Sequence, residues 1–180
     1  GDQLYYYDEL DVNGDKTGKR LKTNNQNAAS YYYCGSSIPD FYGGMSNSFK
    51  YKGFDASVLV TFSKGGKIYD QTWATLMHNG AYGTAWSKDI LKRWQKPGDK
   101  TDVPRLQNGL TRLTAASSRY LVDASYVSIK NVTIGYTVPK KWLSKAGIES
   151  ARLFVSGDNL KLFTKRTGLD PQQGFSGDTD

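Results

Sequence analysis

Between Phe54 and Phe62 the chain alternates almost without a break. Phe54, Ala56, Val58, Val60 and Phe62 are apolar, Asp55, Ser57 and Thr61 between them are polar, and only Leu59 is out of step. A period of two residues belongs to a strand whose side chains point alternately to a greasy face and a wet one. The segment is also about as long as a tilted strand must be to cross a bilayer, roughly 9–11 residues. The same pattern suits the half-buried strand of a soluble sandwich. Alternation therefore demands a sheet with two unlike faces and leaves open what covers the greasy one.

The flanking sequence builds outward from this strand. Ile38-Pro39-Asp40-Phe41-Tyr42-Gly43-Gly44 reads as a turn entering a strand over about 43–51. Lys52-Gly53 then supplies the two-residue loop of a hairpin leading into the strand over about 54–62. Strand patterning resumes over about 120–138, where Val132, Ile134, Tyr136 and Val138 alternate with polar residues. Just upstream, Val127 and Ile129 are apolar on the opposite parity, which predicts either a bulge or two strands' worth of environment. Pro139 to Ile148 reads as a single helical turn capped by Gly147, and a last strand is expected over about 150–160.

Nearer the start, Tyr5–Leu10 reads as a short strand, Asp11–Gly18 as turn-forming, and the Asn- and Ser-rich stretch over 20–37 as loop. Residues 63–118 are expected as one long loop, interrupted by a helical turn from Ser87 that sets Ile90, Leu91 and Trp94 on one face. Such an excursion is longer than ordinary hairpin loops.

Composition narrows the choice. Mean hydropathy is −0.60 and no apolar run approaches the ~18 residues of a membrane helix, which excludes helical membrane proteins and leaves barrels open. The 13 tyrosines, 7 phenylalanines and 4 tryptophans suit either the aromatic girdles of a barrel or a sugar-binding surface. The net charge of +7 comes from scattered lysines and arginines, not from a stripe, so nucleic acid is not the expected partner. Gly1-Asp2-Gln3 opens no basic-then-apolar leader, and the chain reads as a piece of something longer.

Catalytic and metal chemistry is hard to assemble. Cys34 is the single cysteine and His78 the single histidine, with nothing beside either to activate a nucleophile. Asp11, Asn13 and Asp15 alternate as in a calcium loop, but Lys16 follows where that motif places its glycine, so an Asx turn is the default. Asp99 and Asp102 sit in a loop, and Gly43-Gly44 and Gly65-Gly66 read as turn and bulge glycines. No enzyme activity, cofactor or metal is expected. Tyr31, Tyr32, Tyr33, Trp73, Tyr82 and Trp86 are aromatics on expected loops, where they either pack the loops or stack on a ligand.

Several segments in order carry a family resemblance. Pro39-Asp40-Phe41-Tyr42-Gly43-Gly44 and Tyr51-Lys52-Gly53-Phe54 are followed by Pro97-Gly98-Asp99-Lys100-Thr101-Asp102-Val103-Pro104-Arg105. Then come Asn131-Val132-Thr133-Ile134-Gly135-Tyr136-Thr137-Val138-Pro139-Lys140, Val155-Ser156-Gly157-Asp158-Asn159-Leu160 and Thr167-Gly168-Leu169-Asp170-Pro171. The set resembles the C-terminal barrel region of SusC/RagA-type TonB-dependent outer-membrane transporters.

The resemblance implies an all-β chain with short helical insertions, its antiparallel strands taken from a barrel of roughly 22 strands closed by an N-terminal plug. It also implies a place in the outer membrane of a Gram-negative bacterium and import of glycans or peptides with TonB-relayed energy. A SusD-like surface lipoprotein would cap the mouth, and outer-membrane lipid would surround the wall. The plug, its TonB-contacting segment and the final strand are not among the recognisable motifs. The connections at 52–53 and 139–149 would be periplasmic, and 63–118 extracellular. Within that excursion Trp73, His78, Tyr82 and Trp86 are the expected ligand or partner contacts. The competing expectation is a self-contained soluble β-sandwich that binds carbohydrate through loop aromatics.

Overall fold

A computed structural model describes residues 1–80, 82–106, 115–144 and 147–172. In chain order the elements are β1 (Tyr5–Leu10), β2 (Lys16–Thr23), β3 (Phe41–Tyr51), β4 (Phe54–Lys64), β5 (Lys67–Tyr69), α1 (Gln71–Leu76), β6 (Leu121–Asp123), β7 (Tyr126–Thr137), α2 (Lys140–Leu143) and β8 (Arg152–Thr164). The chain forms two compact units, Gly1–Cys34 with Tyr69–Leu121, and Gly35–Ile68 with Val122–Asp180.

The second unit is built on one antiparallel sheet, in the order β3-β4-β7-β8. Its first hairpin turns on Lys52 (φ 45°) and Gly53 (φ 90°), so both central residues are left-handed as a type I′ turn requires. Gly53 is also held by space, because a Cβ there would stand 2.8 Å from the Thr137 carbonyl oxygen.

Register sorts the side chains. Val60 faces Met45 and Ile129, Val58 faces Asn47 and Val132, and Ala56 faces Phe49 and Ile134. Across β8, Ile134 faces Val155 and Val127 faces Phe163. These residues share one side of the sheet. On the other side Ser57 faces Ser48 and Thr133, which faces Ser156 in turn.

The parity switch in β7 is a bulge at Lys130: Leu59 pairs with Asn131, but Val60 pairs with Ile129. The extra residue returns Ile129 and Val127 to the apolar face. A matching irregularity lies in β8, where Asn131 pairs with Asp158 and Ile129 with Lys161, and Asn159 takes φ 50°.

The apolar face stands open. Phe49 is 62% exposed, Leu153 72% and Val155 78%. A sandwich would bury such a face under a second sheet, and this exposure argues against that alternative. Aromatic residues crowd its two ends. Tyr51, Phe54 and Tyr136 mark the turn end, with the last two rings 4.5 Å apart, and Phe41 meets Phe62 edge-on at 6.2 Å at the other. Phe54 and Phe62 are eight residues apart, about 26 Å along a strand, or roughly 20 Å once tilted by about 40°. That is the scale of a barrel's apolar band between its girdles.

The first unit corrects the sequence reading twice. Residues 63–118 are not one loop, although 81 and 107–114 lie outside the described residues. Asp70 caps α1 by accepting from the Trp73 amide at 2.8 Å, and the helix turns Ala74 inward, followed by Met77. Ile90, Val103 and Tyr120 complete a small core, with Tyr120 fully buried under the edges of Tyr69 and Trp73. Ser87 does cap a helical turn, but as a short 3-10 helix over Lys88–Lys92.

The second correction is β2, which lies within residues expected to be turn and loop and pairs with β1. Asp11 accepts from the Asn13 and Asp15 amides at 2.8 and 3.0 Å, so the calcium-like run is an Asx turn. The expected turn after Pro139 is α2, with Gly147 at φ 70°; residues 145–146 lie outside the described residues.

Candidate functional site

Two regions bring together side chains able to meet a ligand. The first is the loop from His78 to Trp86. His78 Nδ1 accepts from the Gly80 amide at 3.0 Å and from the Trp86 indole N–H at 3.1 Å. With Nδ1 accepting, the neutral ring carries its proton on Nε2, which faces the Ala85 carbonyl oxygen at 3.2 Å and the Thr84 hydroxyl at 2.9 Å. The indole also donates to the His78 carbonyl, and the two rings lie 5.6 Å apart. One imidazole thus ties both ends of the loop together.

Tyr82 projects from this loop fully exposed, and Trp86 is 45% exposed. Trp73 is placed differently. Its ring meets Tyr120 edge-on at 5.0 Å and packs against the small core. Of the four sequence-expected contacts, His78 and Trp86 touch, Tyr82 shares their loop, and Trp73 is a packing residue at the core's edge.

Sequence reasoning singled out no residue of the second region, the polar face of the sheet. Asn131 donates to Ser156 at 3.1 Å and to Asp158 at 2.7 Å, while Thr133 bonds Asn131 and Ser156 at 3.1 and 2.8 Å. Nearer the turn, Arg152 in β8 reaches across β7 to Asp55 in β4, with Nε 3.0 Å from the carboxylate. Gly135 makes the bridge possible, because a Cβ there would lie 2.6 Å from the guanidinium and 2.7 Å from the carboxylate. A glycine in mid-strand opposite an aspartate was the signal available in the sequence.

Two carboxylates outside the sheet are tuned by their partners. Ser125 donates its hydroxyl and its amide to Asp123, which with Lys165 at 3.3 Å holds that carboxyl down to about 2. Asp8 is likewise lowered, first by the hydrogen bond from Lys16 at 2.7 Å and then by that from the Tyr32 hydroxyl at 2.6 Å. Arg20 lies 3.6 Å over the Tyr32 ring. These are structural ties of the kind that close loops. Among the described residues no group of three or more metal-ligating side chains is assembled.

A sheet with one lipid-like and one polar face, tied at one end by a two-residue turn, defines a barrel wall segment. Over 146 residues, 81% of its length, the chain is 38% identical to TonB-dependent receptor P3 of Formosa agariphila. It is 32% identical to TonB-dependent receptor P39 of the same organism over 79% of its length. The RagAB peptide importer in its closed-closed state superposes with a TM-score of 0.74 at 24% identity, covering 97% of this chain and 19% of that one. No protein-family model matches. The chain belongs to the TonB-dependent receptors, and its fold is that of a segment of the RagAB importer. It spans 14% of the length of each of these curated relatives.

Proposed function

We propose that this chain is part of the wall of an outer-membrane transporter that imports an oligomeric nutrient, a glycan or a peptide, with energy relayed by TonB through an N-terminal plug. The observation that carries the reading is the sorting of the β3-β4-β7-β8 sheet into an open apolar face bounded by aromatics and a hydrogen-bonded polar face. The first face meets lipid, and the second lines the lumen. In this reading the Lys52-Gly53 turn and the β7–β8 connection are periplasmic, and the 63–118 segment is extracellular. Its Tyr82 and Trp86, held by His78, contact the nutrient or a SusD-like surface lipoprotein over the mouth.

The test is made in the source organism. Fractionated cells should yield a heat-modifiable outer-membrane band several times larger than 20.0 kDa that reacts with antibody to this chain. Deleting the gene should abolish growth on one class of oligomer, glycan or peptide, which also identifies the substrate. A soluble product, or growth unchanged on both classes, overturns the proposal.

A further inference from the structure

We infer that the loop from His78 to Trp86 is a proton-operated latch, closed while the His78 imidazole is neutral and opened when that ring is protonated. Opening frees Trp86 and Tyr82. The latch regulates the contact surface proposed above, so its bearing on import rests on that reading, while the latch itself rests on the bonding of one ring.

Two N–H groups converge on His78 Nδ1, the Gly80 amide at 3.0 Å and the Trp86 indole at 3.1 Å. Both can only donate, so Nδ1 must accept, and a proton placed on it would point at two others. On the far side of the ring, Nε2 faces the Ala85 carbonyl oxygen at 3.2 Å. A carbonyl oxygen can only accept, so the one proton of the neutral ring is already committed there. Turning the ring over offers the cation no remedy, because both of its nitrogens carry protons. After protonation the indole keeps its other acceptor, the His78 carbonyl oxygen at 3.1 Å. The Gly80 amide loses the acceptor that ties it to the ring.

The surroundings fit a switch worked by this ring. The groups just named are uncharged, as is the Thr84 hydroxyl 2.9 Å from Nε2. The loop leaves α1, whose residues carry no charge, and is fastened at its far end by the Ser87 amide on the Leu76 carbonyl oxygen at 3.0 Å. Beyond it the 3-10 helix carries Lys88, Asp89 and Lys92, of which Lys92 engages Asp89 at 3.0 Å. Tyr82, the other titratable residue of the loop, projects into solvent. Imidazole is the side chain whose charge ordinarily changes between about pH 5 and pH 8.

The test is hydrogen exchange of the full-length receptor in neutral detergent, without nutrient, at about pH 7.5 and about pH 5, on either side of the range in which imidazoles titrate. Each rate is divided by the intrinsic rate at that pH. Protection of the Gly80 amide should fall about tenfold in acid, the effect of losing a hydrogen bond, while the β3–β4 hairpin keeps its own. His78→Asn sets a carbonyl oxygen that does not titrate where Nδ1 stands, and should stay protected in acid. His78→Phe keeps a ring without the acceptor, and should lack protection at both pH values. Equal wild-type protection at the two pH values overturns the latch, and so does a wild-type fall in His78→Asn. Full protection in His78→Phe, or a fall shared by the hairpin, overturns it as well. Uptake of the oligomer identified by growth of the deletion strain is read separately, as the ratio of acid to neutral rates. That ratio should be lower for wild type than for His78→Asn. Equal ratios alongside acid opening would leave the latch standing and overturn the contact role of Tyr82 and Trp86.

Discussion

Arginine at position 58 should damage this protein far more than arginine at position 57. Val58 lies on the apolar face, four residues from the aromatic belt at either end, about 13 Å along the strand. With a tilt of about 40° that puts it roughly 10 Å inside each interface, near the bilayer midplane. A charge on the lipid face at that depth costs about 2–4 kcal/mol, or roughly 30- to 900-fold in the folding equilibrium. Ser57 points the other way, toward Ser48 and Thr133, where an arginine reaches water in the lumen and costs within about 0.5 kcal/mol. The assay is urea titration of the full-length receptor in phosphatidylcholine vesicles, with folded protein read by mobility of unheated samples in gels. The unfolding midpoint should fall sharply for Val58→Arg and stay near wild type for Ser57→Arg. Equal losses, or a larger loss at Ser57, would refute the assignment of the faces.

Other outcomes follow from single residues. Asn47 faces Val58 on the apolar side, so Asn47→Leu should stabilise the membrane-inserted barrel by about 1–3 kcal/mol in the same titration. Gly53→Val forces a branched side chain into left-handed backbone and against the Thr137 carbonyl, and should cost about 2 kcal/mol or more. Asp123 is held at about 2 in the folded chain, below its ordinary 3.8, so its contribution is complete above about pH 4 and disappears as pH falls through 2. Asp123→Asn should therefore lower the thermal midpoint at pH 6 and have little effect at pH 2. With the carboxylate partly exposed, the loss should be about 1–2 kcal/mol. Trp86→Phe removes the indole donor to His78, and should raise hydrogen exchange at the Gly80 amide while leaving the sheet's protection unchanged.

How much of this could be read from the sequence depended on where the stabilising contacts come from. β4 and much of β7 were legible because their residues carry the period of the two faces, and β3 followed from the Lys52-Gly53 turn beside it. The bulge was one of two readings of the phase switch between Val127 and Ile129 on one side and Val132 and Ile134 on the other. β2 was hidden. Lys16–Thr23 has almost no apolar residue to alternate, and it is a strand because β1 is its partner. The core of the first unit was hidden for a related reason. Met77, Ile90, Val103 and Tyr120 come from four separate short segments and meet only in three dimensions.

The candidate site divides in the same way. Tyr82 and Trp86 were chosen for chemistry and placement, and the loop that joins them is local in sequence. The role of His78 as its staple depends on acceptor geometry that spacing does not encode. Trp73 looked like its neighbours until Tyr120, distant in the chain, turned out to be its partner. The bridge from Asp55 to Arg152 over Gly135 needs the register of three strands, and none of these residues is distinctive alone.

The most direct measurement is a nitroxide scan of positions 54–62 in the cysteine-free full-length receptor, reconstituted in lipid bilayers. Each label is read for collision with oxygen, which concentrates in the bilayer, and with a water-soluble nickel chelate. Oxygen access should peak at 54, 56, 58, 60 and 62, greatest near 58, and nickel access at 55, 57, 59 and 61. The same water accessibility at both sets of positions, or an oxygen maximum on the odd ones, would contradict a sheet that separates lipid from lumen.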